Sequence, residues 1–343
     1  MRASVVIRTK DVGPRLRLTL ASLAAQSTPA EVVVVNDGSS DETADVLRET
    51  TLPIVRIDNA SAEGRAAASN AGAEAAGGDV LIFLDGDTLA GPHFVERHLA
   101  FHREHADVVG RGETSHLRCT RLFNDPETGT PMVGEEARVA ALSARELSSL
   151  LVTREQIARD FAGIERRAQP GIYPGVGPRR LYEAEMDALR SHPDSSVLWA
   201  AASGANQSVP RPAFLSVGGF DATVPISSHR ELAYRLVRAG LRMAPVPDAR
   251  TYHMIHRRGW RDPLSETDWE TRFYARHPIP EVPLLSMLWS SFSDSPPYPP
   301  EALLRSLPEL EVAARRLDGV TGVEAVRRAH LAACRVREGA VTP

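Results

Sequence analysis

The chain has 343 residues, 43% of them hydrophobic and 24% charged, a composition that supports a buried core and excludes a disordered or fibrous protein. With 40 basic against 44 acidic residues the formal charge is −4, so no global cationic surface stands ready for nucleic acid and none is expected as a partner. Two cysteines, Cys119 and Cys334, with no C-x-x-C spacing argue against a disulfide scaffold or a thiolate zinc site. The apolar start turns polar at Arg8, and no stretch approaches the ~20 apolar residues of a bilayer span. The expectation is a soluble, cytoplasmic protein without a transmembrane segment.

In chain order, Ser4–Arg8 is rich in β-branched residues and predicts a strand; Pro14 then opens a helix with Leu16, Leu20 and Leu23 at helical spacing. Glu31–Val35 contains four consecutive valines, the pattern of a strand buried on both faces of a parallel sheet. Ser39 followed three residues later by Glu42 reads as a capping box for a helix over about Ser40–Glu49. Pro53–Ile57 predicts a third strand, Gly64–Ala76 a helix, Asp79–Leu84 a fourth strand and Pro92–His105 another helix. This alternation predicts βαβ units and an open, mainly parallel sheet. Beyond Val109 the pattern breaks down. Helical stretches are expected around 134–168 and 179–191, with a Gly/Pro-rich bridge at Gln169–Pro178 between them. Glu231–Gly240 reads as a helix stopped by its glycine, Met243–Pro245 and Ala249–His253 as strands, Ser290–Pro300 as a linker, and Glu301–Arg316 and Val323–Arg337 as closing helices.

In an open α/β sheet ligands bind beyond the carboxyl ends of the strands. Thr9, Asn36-Asp37-Gly38, Asp58 and Asp85-Gly86-Asp87 fall there. The first turn lacks G-x-G-x-x-G, and neither a P-loop nor a G-x-S-x-G elbow occurs, which argues against dinucleotide, P-loop and hydrolase sites. Two carboxylates flanking Gly86 suit Mg²⁺ or Mn²⁺ bridging to phosphate oxygens, although a strand-end turn uses the same residues merely as caps. His253 and His256 invite a metal reading too. Residues three apart on a strand point to opposite faces, so both ligate one ion only if the strand ends between them.

Taken together, Ser4–Thr9, Val32–Asp41, Gly64-Arg65 with Asn70 and Gly72, Phe83–Asp87, Ser203–Arg211, Gly218–Asp221, Glu231-Leu232 with Arg235, and Ala249 with Tyr252-His253 resemble the family 2 glycosyltransferases over roughly residues 3–257. The resemblance implies the GT-A nucleotide-binding fold, a nucleotide-diphosphate sugar as co-substrate and Mn²⁺ or Mg²⁺ as cofactor. It implies that Thr9 lines the uracil pocket, Asp37 bonds the base, Arg65 lies beside it, and Gly86 separates Asp85, near ribose or metal, from the metal ligand Asp87; it also favours His253 as a metal ligand and ranks His256 below it. It also implies a division into residues 1–110 as the donor-binding half, 111–257 as the acceptor half of the same GT-A domain, and 258–343 as a mainly helical extension after a linker. Those last helices either cover the acceptor pocket or form a homodimer contact.

One departure stands out. The Glu-Asp pair that commonly supplies the family's general base is replaced by Ser228-His229. His229 and Glu231 are the remaining candidates for the base, while Ser227 or Ser228 as a cap and Glu231 as a first-turn acid suffice for a helix start. The expected activity is metal-dependent, inverting transfer from a UDP-sugar to an unknown small acceptor. A sugar-binding subunit without turnover and a nucleotidyltransferase on the same kind of sheet are the alternatives.

Overall fold

The computed structural model describes residues 1–170, 181–256, 268–292 and 296–339. The expected strands of the first half form as β1 (Ala3–Thr9), β2 (Glu31–Asp37), β3 (Val55–Asn59) and β4 (Val80–Asp85). They pair in parallel in the order β3-β2-β1-β4, with Thr9 opposite Asn36 and Arg8 opposite Asp85. Their carboxyl ends therefore share one edge, because each helix returns the chain to the opposite end.

The strands β5 (Thr88–Ala90), β6 (Val108–Leu117), β9 (Gln169–Pro170), β10 (Gln207–Pro210) and β11 (Arg242–Met254) extend this sheet to nine. A separate hairpin joins β7 (Phe123–Asp125) to β8 (Thr130–Pro131). β10 runs antiparallel between β4 and β6, so its start at Gln207 lies at the edge where β4 ends. β11 runs parallel to β6, and β5 runs antiparallel to β11.

Alternation along the strands divides the core. Val5, Ile7, Val32, Val34, Ile82 and Leu84 pack with Leu16, Leu20 and Phe94 on one face. Val6, Val33, Leu81 and Phe83 pack on the other face with Ala66, Trp199 and Phe214. Buried side chains of this size contribute about 1.5–3 kcal/mol each. Trp269, Phe273, Leu288, Leu310 and Val326 join that second cluster, so the helices after residue 267 share the core of the sheet.

Several local expectations are corrected. The capping box is not made: the helix begins at Thr43, and Ser39 Oγ instead accepts from Asp11 N–H. Asp41 takes over, accepting from the Thr43 and Gly13 amides at 2.9 Å each and tying the loop to the first helix. The helical region around 134–168 is four short helices, at 136–140, 144–150, 154–159 and 161–165. The two strands expected around residue 247 are one strand, β11, with an irregularity between Pro245 and Arg250. The helix expected from Glu231 starts at Ser228, helices also form at Asp268–Arg276 and Glu281–Ser290, and the one expected at Glu301 starts at Leu307 after a 3₁₀ turn. Of the Gly/Pro-rich bridge, residues 171–178 lie outside the described residues, as do 293–295 of the linker. No helix among the described residues is long and apolar enough to cross a membrane.

Candidate active site

A cleft of about 880 Å³ opens at the carboxyl edge and is lined by residues of both halves, Asp37, Asp87, Ser203 and His253 among them. The predicted Thr9, Arg65, Asp85, Gly86 and His229 line it as well. Glu231 does not.

The turn after β4 builds the first wall. Gly86 N–H donates to Arg8 O, and Thr19 Oγ1 donates to Gly86 O at 3.0 Å. A Cβ on Gly86 would meet Thr9 Oγ1 at 2.6 Å and Thr9 Cβ at 2.8 Å, so only glycine lets the turn lie against β1. Thr9 Oγ1 is itself buried without a hydrogen-bond partner. Asp37, at the end of β2, accepts from Asn59 Nδ2, Glu63 N–H and Gly64 N–H at 2.8–3.0 Å. It thereby fixes the loop that precedes the helix carrying Arg65.

The two acids of the turn have different partners. Asp85 pairs with Arg8 at 2.6 Å, and Arg8 Nη1 also donates to Gly204 O. Burial raises the Asp85 pKa, as does the neighbouring Asp87, against the pull of Arg8. Asp87 instead meets the end of β11. Met254 N–H donates to Asp87 O at 2.9 Å, and this brings His256 Nε2 to 2.8 Å and His253 Nε2 to 3.4 Å from Asp87 Oδ2. β11 ends at Met254, so His256 is free of the strand alternation and both imidazoles reach the same carboxylate. These three residues offer ligand atoms within 4.8 Å of one another; Asp85 is outside the group. Burial alone would raise the Asp87 pKa, but the two histidines hold it well below the usual range. His253 is raised above 6.5 by Asp87 despite its burial. One carboxylate and two imidazoles suit a divalent ion with coordination positions left for phosphate oxygens, and the imidazoles favour Mn²⁺ over Mg²⁺.

Neither candidate base is placed as a free base. Glu231 is 1% exposed, bound bidentately by Arg235 at 2.6 and 2.7 Å and contacted by His277 Nε2 at 2.8 Å. His229 lines the cleft, but its Nε2 faces Arg230 Nη1 at 2.9 Å. A guanidinium only donates, so Nε2 accepts and the proton resides on Nδ1. Burial, reinforced by Arg230, Arg8 and Arg111, holds its pKa well below 6.5.

Arg8, Arg111, Arg230 and Trp289, none of them a site residue expected from the sequence, also line the cleft. Arg111 and Arg230 direct Nε at the carbonyls of Ala201 and Ala200, and both face Glu185, at 3.7 and 2.8 Å. Trp289, from the helix Glu281–Ser290, stacks on Arg230 with Cζ 4.7 Å from the ring. Arg8 lies within the Ser4–Thr9 segment, whereas Arg111, Arg230 and Trp289 signal themselves in the sequence only by charge or aromaticity outside any motif. Asn206 adopts φ 108°, held by His98 at 3.0 Å and by its own bonds to Glu113 O and Ala249 O. That turn presents Gly204 to Arg8.

Residues 4–126 match the family described as Glycosyl transferase family 2. Validoxylamine A glucosyltransferase of Streptomyces hygroscopicus subsp. jinggangensis is 32% identical over 295 residues, covering 81% of this chain and 62% of the relative. The chain thus spans about three-fifths of the length of that curated relative. Among solved structures, S. aureus TarS 1-349 superposes with a TM-score of 0.51 at 16% identity, over 99% of this chain and 92% of that one. The mannosyltransferase PcManGT from Pyrobaculum calidifontis, in complex with GDP-Man and Mn²⁺, gives 0.50 at 16% identity, over 100% and 76%. These likenesses carry the fold, a GT-A α/β sheet flanked by helices.

Proposed function

We propose that this chain, a member of the family 2 glycosyltransferases through its residues 4–126, transfers a sugar from a nucleoside diphosphate donor, a UDP-sugar, to a small acceptor with inversion at the anomeric carbon. The observation that carries the reading is the convergence of Asp87, His253 and His256 at the carboxyl edge, beside Thr9, Asp37 and Arg65. The names of the relatives lend support: one is a glucosyltransferase, and another was solved with GDP-Man and Mn²⁺.

In this mechanism the nucleoside lies along the ends of β1 and β2, next to Thr9 and Arg65. Asp87, His253 and His256 would hold the divalent ion. Such an ion, when bound, neutralises the charge that develops on the departing diphosphate. Arg8 holds Asp85 against β1 and fixes the turn that carries Asp87.

Calorimetry of UDP and of UDP- and GDP-sugars with Mn²⁺, followed by turnover assays with and without EDTA, tests the reading. Failure to bind any nucleotide would end it. A second reading, a sugar-binding subunit without turnover, draws on the absence of an unpaired carboxylate near His229 among the described residues. It requires that bound donor is never consumed, even by slow hydrolysis.

A further inference from the structure

Gly204 separates two nitrogen donors of the cleft. A Cβ built on it would stand 3.0 Å from Arg8 Nη2 and 3.7 Å from His229 Nδ1, and the next atom, at 4.0 Å, is His229 Cγ. Arg8, Gly204 and His229 all line the cleft. Gly204 is not among the glycines with positive φ, so the backbone does not demand glycine there and the missing side chain leaves a niche.

The hydrogens follow from the partners. Arg230 Nη1 faces His229 Nε2 at 2.9 Å, and a guanidinium only donates, so the ring proton is on Nδ1, the nitrogen nearest Gly204. Arg230 thereby keeps the acceptor nitrogen of the ring occupied. Arg8 Nη2 pairs with Asp85 Oδ1 at 2.6 Å, Nη1 donates to Gly204 O at 3.2 Å, and Nη2 carries a second hydrogen besides the one facing Asp85. Asp85 offsets the Arg8 charge, so the niche suits a neutral oxygen and not an anion. Its place suits the donor as well. Arg8 precedes Thr9 on β1, beside the nucleoside, and Asp85 shares its turn with Asp87, on the diphosphate side.

Resting on the glycosyltransferase reading, we propose that the niche at Gly204 binds a hydroxyl oxygen of the sugar being transferred, with Arg8 Nη2 and His229 Nδ1 donating to it. His229 is then a specificity-determining residue and not a base. A site built to hydrogen-bond a hydroxyl rejects a sugar that lacks it, because its polar groups are left unpaired.

The test is calorimetry on the full chain with Mn²⁺, titrating UDP, UDP-glucose, UDP-galactose and UDP-N-acetylglucosamine, then monodeoxy analogues of the tightest-binding sugar nucleotide. His229→Phe, which keeps a flat ring and removes the donor, and Gly204→Ala, which fills the niche, are each expected to weaken that sugar nucleotide at least tenfold. Both should leave UDP affinity within twofold. One monodeoxy analogue is expected to bind the parent at least tenfold more weakly and to be insensitive to His229→Phe. If His229→Phe fails to fold, Gly204→Ala decides, since its methyl group meets first the flexible tip of Arg8. Several outcomes overturn the proposal: binding of UDP but of none of the three sugar nucleotides, equal losses for UDP and the sugar nucleotide, or sugar-nucleotide affinity that either folded variant leaves unchanged. A variant effect that persists through every monodeoxy analogue overturns it too. Failure of UDP itself to bind counts against the glycosyltransferase reading instead.

Discussion

His256 Nε2 lies 2.8 Å from Asp87 Oδ2, although 169 positions separate the two residues in the chain. The contact follows from sheet pairing: His253 is opposite Thr88, and the Met254 amide donates to Asp87 O as β11 ends. A carboxylate on one strand-end turn and two imidazoles on another strand become one donor set.

Asp87→Ala, His253→Ala and His256→Ala are each expected to lower Mn²⁺ affinity by more than about tenfold, since each removes a ligand atom from the set. Asp85→Asn should have a smaller effect on the metal and a larger one on the position of Arg8. Mn²⁺ titration followed by electron paramagnetic resonance separates the four variants. Equal metal affinity in His256→Ala and the parent would remove His256 from the site.

Glu231 is expected to act in stability. Its carboxyl is held below the usual range by His277 and Arg235 even though burial pushes the other way. Glu231→Ala strands the Arg235 charge and should cost about 3 kcal/mol in chemical denaturation. Turnover per folded molecule should stay within twofold. A loss of turnover with the fold intact would return Glu231 to the chemistry.

Gly86→Ala places a methyl group 2.6 Å from Thr9 Oγ1, so the turn or β1 must move. Overpacking of this kind costs about 1–3 kcal/mol. A shift of the same turn should weaken UDP binding about tenfold, equivalent to about 1.4 kcal/mol. Unchanged UDP affinity would show that the turn does not touch the donor.

Acid should destabilise the fold through its buried histidines. His98, His102 and His116 are held neutral by burial, their pKa values lowered to about 3, about 4 and about 3. Their unfolded values lie near 6.5, so the unfolded chain binds more protons below that pH. Stability is therefore full above about pH 6.5 and declines as pH falls toward 4, by up to about 1.4 kcal/mol per pH unit for each histidine. His102→Gln should flatten the slope of unfolding free energy against pH between 6.5 and 4.5 by about one proton. An unaltered slope would show that His102 does not titrate with unfolding.

Much of the donor side was legible from the sequence because it depends on local grammar. The valines of β2 are buried on both faces, and alternating strands and helices deliver Thr9, Asp37 and Asp85 to one edge through short connections. Composition excluded the classes it could exclude, and the order of weak motifs pointed to the family.

The opposite wall was not legible, because its residues meet only through pairing and packing over long separations. Whether His256 joins His253 depends on where β11 stops, and a side chain's direction changes at a strand end that periodicity does not mark. Glu231 looked available because a sequence shows a carboxylate but not its partners; Arg235, one helical turn away, and His277, from a later helix, occupy it. Trp289 reached the cleft from a helix that the sequence left unread, carried there by the shared hydrophobic core. Residue chemistry and strand ends were properties of the chain alone. Which charges neutralise one another, and which donors remain unsatisfied, was decided by the tertiary structure, since electrostatic pairing depends on distance in space.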